Sequence, residues 1–279
     1  MNEDSPLLTD IRNLYAETAA PKGVGRCIDP FIGEAFINPA RGALRIMGIG
    51  INAYCDGSEL SSLKPGVYST WYRDQRTQGP NGRRLRFFTA AKNQMNVVAR
   101  TAAADGNAFH GIAHDATVDN CAGNHYFTNV VKRYVDQSVG KAASDLDPQL
   151  VDNHIRVLPR ELEILAKHNR FPHIIVLFWS TPDPPWRQLW KPLHDQSVAK
   201  SGHCASRISV LKGSFKPAEG NAGNHANRIE INEGESTRPL LLLRLAHPTR
   251  AGRAKWNPSA LSTEPALVRI LRKDMGVAL

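Results

Sequence analysis

Four polar side chains in this sequence stand just after short apolar, β-prone runs, where a sheet strand would end. Asn52 and Tyr54 follow Arg45-Ile-Met-Gly-Ile-Gly-Ile, Asn129 follows Tyr126-Phe-Thr, and His247 follows Leu240 to Leu245. An asparagine amide offers both a donor and an acceptor, so two of them beside a histidine suit recognition of a planar hydrogen-bonding group. The N3 and O4 edge of a pyrimidine is such a group. Two other patterns compete. Gly48-x-Gly50-x-x-Ala53 fits the dinucleotide fingerprint, but that motif must open a helix. Tyr54-Cys55-Asp56-Gly57 leads instead into a Ser- and Pro-rich loop, which argues against it. His110, His114, Cys121 and His125 are zinc-capable residues at short spacing. They are read as a His-rich loop ahead of a strand, and no metal is expected.

These residues meet only if the elements beneath them form one sheet. Ser5-Pro6 can cap a helix carrying Leu7, Leu8, Ile11, Leu14 and Tyr15 on one face. Leu44 to Ile51 and Ile174 to Trp179 read as buried strands, Tyr126 to Val131 as a third and Leu240 to Leu245 as a fourth. Lys64 to Arg86 carries turn signals at Pro65-Gly66, Gly79-Pro80 and Asn81-Gly82 and reads as a polar loop. Phe87, Phe88, Ala91, Met95 and Val98 recur at helical spacing. A helix starts at Asp147-Pro148, is interrupted by Pro159 and resumes through Leu162 and Leu165. Thr263 to Met275 reads as a closing helix. Buried strands alternating with helices give an α/β fold: a three-layer α/β/α sandwich with a central, mainly parallel four-stranded sheet. In such a sheet all four strand ends share one edge, where ligands bind. The chain reads as one domain over residues 1–279, with an N-terminal helical extension (1–42) and an irregular insertion (182–238).

Composition narrows the partner. The chain has 279 residues, 42% of them hydrophobic, and a formal net charge of +9. The basic balance favours an anionic partner, nucleic acid first. No stretch approaches the ~18 apolar residues of a membrane span. The polar opening Met-Asn-Glu-Asp-Ser shows no signal peptide. Cys27, Cys55, Cys121 and Cys204 lie far apart and read as reduced thiols. A cytoplasmic protein is the expectation.

Four motifs in order resemble the uracil-DNA glycosylase superfamily. They are Gly50-Ile-Asn-Ala-Tyr54, Thr128-Asn-Val-Val-Lys132, Arg160-Glu-Leu162 with Pro172-His-Ile-Ile-Val176, and His247-Pro-Thr249. The resemblance spans roughly residues 43–275, broken by the insertion. It implies a DNA glycosylase that flips a nucleotide from the duplex and hydrolyses the bond between base and sugar. By the same resemblance, Asn129 would read the base edge and Phe87 or Phe88 would stack on it. Asn52 would position the attacking water, and Tyr54 would crowd C5 and exclude a thymine methyl. His247 would stabilise the charge on the departing base. Arg250, Arg253 and Lys255 would hold phosphates or wedge the duplex. DNA is the implied partner and no cofactor is implied, since the cysteines lack iron–sulfur spacing. Asn52 stands where the most active members carry Asp, so general-base help is lost and a slow enzyme is expected. The alternatives are a non-catalytic nucleic-acid-binding member of the same fold, or a hydrolase of another modified base or nucleoside.

Overall fold

The computed structural model describes residues 5–38, 45–51, 53–55, 60, 62–73, 88, 91–92, 94–96, 125–138, 146–178, 208–209, 225–233 and 236–245. The elements are α1 (Pro6–Ala16), β1 (Val24–Cys27), β2 (Phe31–Ile32), α2 (Glu34–Ile37), β3 (Ile46–Gly50), β4 (Ala53–Cys55), α3 (Val67–Arg73), β5 (His125–Asn129), β6 (Arg133–Asp136), α4 (Pro148–Ile155), α5 (Val157–Lys167), β7 (Ile174–Phe178), β8 (Ile208–Ser209), β9 (His225–Glu233) and β10 (Ser236–Leu245).

Every residue of β3, β5 and β7 is buried. A strand covered on both faces reads as a continuous apolar run, which is how β3 and β7 appear in the sequence, whereas β5 buries the polar His125, Thr128 and Asn129 as well. They join in a seven-stranded sheet of order β2-β5-β3-β7-β10-β9-β8. β5, β3, β7 and β10 pair in parallel, while β2, β9 and β8 add antiparallel edges. The fold is therefore α/β as expected, but its sheet is larger and mixed. A second, three-stranded sheet of order β1-β6-β4 lies beyond the carboxyl ends of β3 and β5 in the chain path.

One face of the large sheet packs Met47, Ile49, Tyr126, Ile175 and Leu177 against α1, α4 and α5, through Leu8, Ile11, Ile155, Leu158 and Leu162. On the other face lie Tyr72 of α3 and the helical residues Phe88 and Met95. Tyr72 stacks on Phe127 with ring centroids 4.7 Å apart, and Phe88 meets both rings edge-on. Gly48 is the residue that lets this layer close. A Cβ there would lie 2.6 Å from the Met95 sulfur and 2.7 Å from Phe127 Cδ2. Its glycine serves close packing inside a strand, and β4 rather than a helix follows β3. Both facts remove the dinucleotide reading.

Several boundaries move. The chain break falls at Arg156, not at Pro159, which lies in the first turn of α5. The amide hydrogens of a first turn have no intrahelical partner, so proline costs nothing there. α3 occupies part of the segment read as a loop, because Pro65-Gly66 marks the start of a helix rather than the middle of a turn. Residues 182–238 were expected to be irregular, yet they contain β8, β9 and the first residues of β10. β9 and β10 form a long antiparallel hairpin. Its Ile229 and Ile231 alternate with Glu230 and Asn232, a period-2 pattern diluted by polar residues. The N-terminal segment is not a mere extension either: β2 pairs with β5, and α1 supplies core residues. The expected closing helix at 263–275 lies outside the described residues.

Candidate functional site

Among the parallel strands the chain runs first from β3 to β5 on one side, then back across to β7 and β10 on the other. The order of connection thus reverses between β3 and β7, and the crevice outside the carboxyl ends of strands at such a reversal is where these sheets bind ligands. Asn129, the last residue of β5, stands on the same carboxyl edge one strand away, in register with Gly50 of β3.

Three segments converge on the turn that follows Asn129. Val130 N–H donates to Gly50 O at 2.9 Å and Val131 N–H to Ile51 O at 2.8 Å, tying the ends of β5 and β3 together. Ile28 N–H donates to Lys132 O at 2.8 Å, hooking on the segment between β1 and β2. The result is a shallow cleft with Ile28 to Pro30 on one side and Thr128, Asn129 and Lys132 on the other. Its lining atoms stand so close together that no water-sized space lies between them. Asn129 is only 3% exposed. Asp29, equally buried, accepts from Arg12 Nε at 3.0 Å and Arg12 Nη2 at 2.7 Å.

Beneath Asn129 the turn is held by a buried polar network. Lys132 Nζ donates to Glu161 Oε2 at 2.5 Å and to Thr128 Oγ1 at 2.9 Å. Tyr15 and Tyr126 each donate a hydroxyl to Glu161 Oε1 at 2.6 Å, and Tyr15 Oη also lies 2.8 Å from Thr128 Oγ1. The Lys132 ammonium rests 4.9 Å from the centre of the Tyr15 ring. Burial pushes the Lys132 pKa below its usual range, and the Glu161 carboxylate pulls against that shift. Burial first, and Glu161 second, push both tyrosines well above theirs, so they remain neutral donors. His154 of α4 completes the clamp. Its Nδ1 accepts from Lys132 N–H at 3.0 Å, which leaves Nε2–H to donate to Ala19 O at 2.9 Å. Burial lowers its pKa to about 4, fixing that neutral tautomer.

The expected site residues fall as follows. Asn129 lies on the cleft floor. Tyr54 belongs to β4, where its backbone registers with Val135 of β6. Phe88 is 4% exposed and committed to the aromatic layer with Tyr72 and Phe127, so it is core. Asn52, Phe87, His247, Arg250, Arg253 and Lys255 lie outside the described residues, although Ile51, Ala53 and Leu245 beside them are described. Of the metal-capable set, His125 stands at the amino end of β5, the opposite edge from the cleft, with Nδ1 3.0 Å from Tyr72 Oη. His110, His114 and Cys121 lie outside the described residues. Among the described residues no three His, Cys, Asp or Glu side chains gather as metal ligands. Lys132, which closes the Thr128-to-Lys132 motif, is 1% exposed. Arg133 beside it donates Nε to Thr18 O and Oγ1 and Nη1 to Gly25 O.

The residues that sequence reasoning missed are Asp29, Arg12 and the acid-and-tyrosine half of the network. Glu161 could be singled out as a charged residue on the apolar face formed by Leu158, Leu162 and Leu165. Asp29 carries no comparable signal. No helix among the described residues is long and apolar enough to cross a membrane. Comparison with known protein families, with curated proteins and with solved structures finds no match to this chain.

Proposed function

We propose that this chain is a DNA base-excision glycosylase that hydrolyses the N-glycosidic bond of uracil or a related damaged base. The observation that carries the reading is Asn129: an amide held at the carboxyl edge of a parallel sheet, beside β3, on a turn locked by a buried ion pair. A hydrogen-bond reader has to be rigid to discriminate, because discrimination rests on leaving the wrong partner unpaired. Its burial also fits, since a base that reaches it must leave the duplex stack. The four motifs in order, the three-layer α/β/α frame around four parallel strands and the net charge of +9 support the same reading. DNA is the proposed partner and the cytoplasm the proposed compartment.

In this mechanism Asn129 pairs with the base edge while Phe87 stacks on it. Asn52 orients water beneath the sugar, Tyr54 fills the space at C5, and His247 stabilises the leaving base. The ends of β5 and β10 are three strand spacings apart, about 14 Å. The segment after Leu245 therefore has to reach back over β7 and β3 to bring His247 to the base, with Arg250, Arg253 and Lys255 facing phosphates.

A non-catalytic binding module of the same fold is the second reading, favoured by an amide at Asn52. Base release from single- and double-stranded oligonucleotides carrying uracil, hypoxanthine or xanthine separates the two. Release that Asn129→Ala and His247→Ala abolish supports the enzyme. Salt-sensitive DNA binding without release on any of these substrates supports the module.

A further inference from the structure

We propose that the second sheet presents a phosphate-binding face to DNA, with Arg26 and Lys64 as its contacts. The inference rests on the DNA reading above and adds where the strand beside the base is held. The side chains of Lys22, Arg26 and Lys64 are exposed, and none makes a hydrogen bond or an ion pair. Arg133 of β6 donates only to neutral oxygens: Thr18 O and Oγ1, Gly25 O and Ala16 O. Its charge is therefore not cancelled. The described strands of this sheet hold one carboxylate, Asp136, the last residue of β6. The neighbouring acids Asp29 and Glu17 are already taken by Arg12 and Arg160. Positive charge gathers here with little local compensation, and a polyanion complements it.

Backbone geometry ties both residues to the crevice. Val24 pairs with Val135 and Cys27 with Arg133, so Gly25 and Arg26 together stand opposite Tyr134. Such a bulge re-aims side chains. Gly25 lies against Leu60, where a Cβ would fall 2.8 Å from Leu60 Cγ, while Arg26 is left facing solvent. Arg26 comes two residues before Ile28, whose N–H donates to Lys132 O. Lys64 O accepts from Tyr134 Oη at 3.3 Å, and Pro65 O beside it accepts from Asp29 N–H at 3.0 Å. Both cations therefore stand on segments bonded to the wall that faces Asn129. A DNA strand carries a phosphate every ~3.4 Å of axis, so a nucleotide turned toward Asn129 brings its flanking phosphates over this sheet. Contacts fixed relative to the base reader set the register of the strand.

The test is salt-dependent binding of the whole chain to a uracil-bearing duplex and to its undamaged counterpart. Each neutralised phosphate adds about 0.9 to the slope of log affinity against log salt. Arg26→Gln combined with Lys64→Gln should flatten that slope by about 2 and weaken both duplexes alike, by about tenfold. At saturating protein, uracil release should keep its wild-type rate, because these residues hold the strand and not the reacting atoms. Arg156→Gln, at an exposed cation between α4 and α5, should leave the slope unchanged. An unchanged slope in the double variant overturns the proposal, and persisting uracil release then leaves the base-release reading intact. A flattened slope in a chain that releases no base upholds the face while that reading fails. A wild type that neither binds duplex nor releases base overturns both. Polyglutamate bound as tightly as the duplex, through the same two residues, assigns the face to an acidic protein and overturns the proposal. If the double variant fails to fold, each single variant decides, with an expected slope loss of about 1.

Discussion

The two faces of β5 are built on opposite principles. Tyr126 and Thr128 point into a charged, hydrogen-bonded network with Tyr15, Lys132 and Glu161. Phe127, between them, points into an aromatic layer of Tyr72, Phe88 and Phe178. Aromatic packing is favourable over a range of small shifts, whereas a buried ion pair is tolerable only at one geometry. The polar face therefore fixes where Asn129 and its turn sit, and the aromatic face supplies burial. The cleft opens where the two meet, at the end of the strand.

This contrast can be broken from the polar side first, where the largest effect is expected. Glu161→Ala leaves the Lys132 ammonium and two tyrosine hydroxyls buried without their acceptor. It should cost about 3–5 kcal/mol in urea unfolding, and a paired Lys132→Met, Glu161→Met variant should recover much of that. A cost below about 1 kcal/mol would mean that the network is not closed from water.

Acid should loosen the same face next. The His154 pKa is about 4 in the fold, against about 6.5 in the unfolded chain. Between those values the unfolded chain binds the extra proton, so stability falls as pH drops through that window and levels off below it. The full swing is about 3 kcal/mol. Protonation would also turn Nδ1 into a donor facing Lys132 N–H, releasing the turn. His154→Gln should flatten this part of the stability profile, and an unchanged profile would remove His154 from the clamp.

On the aromatic face the effects should be smaller. Gly48→Ala forces its new methyl against Met95 and Phe127 and should cost about 1–3 kcal/mol. Thermal unfolding reads it directly, and a neutral outcome would show that the layer yields. Tyr72→Phe keeps the ring stack and loses the hydroxyl bonds to His125 and Met95, about 1 kcal/mol. A loss as large as that of Glu161→Ala would make the aromatic face the more demanding of the two.

The same contrast explains what could be read from the sequence. β3 and β7 are short apolar runs, β5 is a short β-prone one, and α1 carries its buried face at regular spacing, so local pattern sufficed. The polar network could not be read that way. Tyr15 lies 113 residues from Thr128 and 146 from Glu161, and nothing local joins them. Arg12 and Asp29 are 17 residues apart, on different elements. β9 escaped because Asn227, Arg228, Glu230 and Asn232 hide its apolar alternation, and α3 escaped behind a Pro-Gly signal that begins a helix as readily as it makes a turn. Asn129 was legible for a different reason: it ends a strand whose neighbours give its position, whatever holds it from beneath.

The central claim is that Asn129 reads a base at the carboxyl edge of the sheet. Single-turnover release of uracil from a labelled oligonucleotide, measured for the wild type and Asn129→Ala, tests it most directly. The account predicts release by the wild type and a loss of at least about 100-fold in the variant, with thermal unfolding little changed. Equal release by both proteins, or none by the wild type from uracil, hypoxanthine or xanthine substrates, would contradict it.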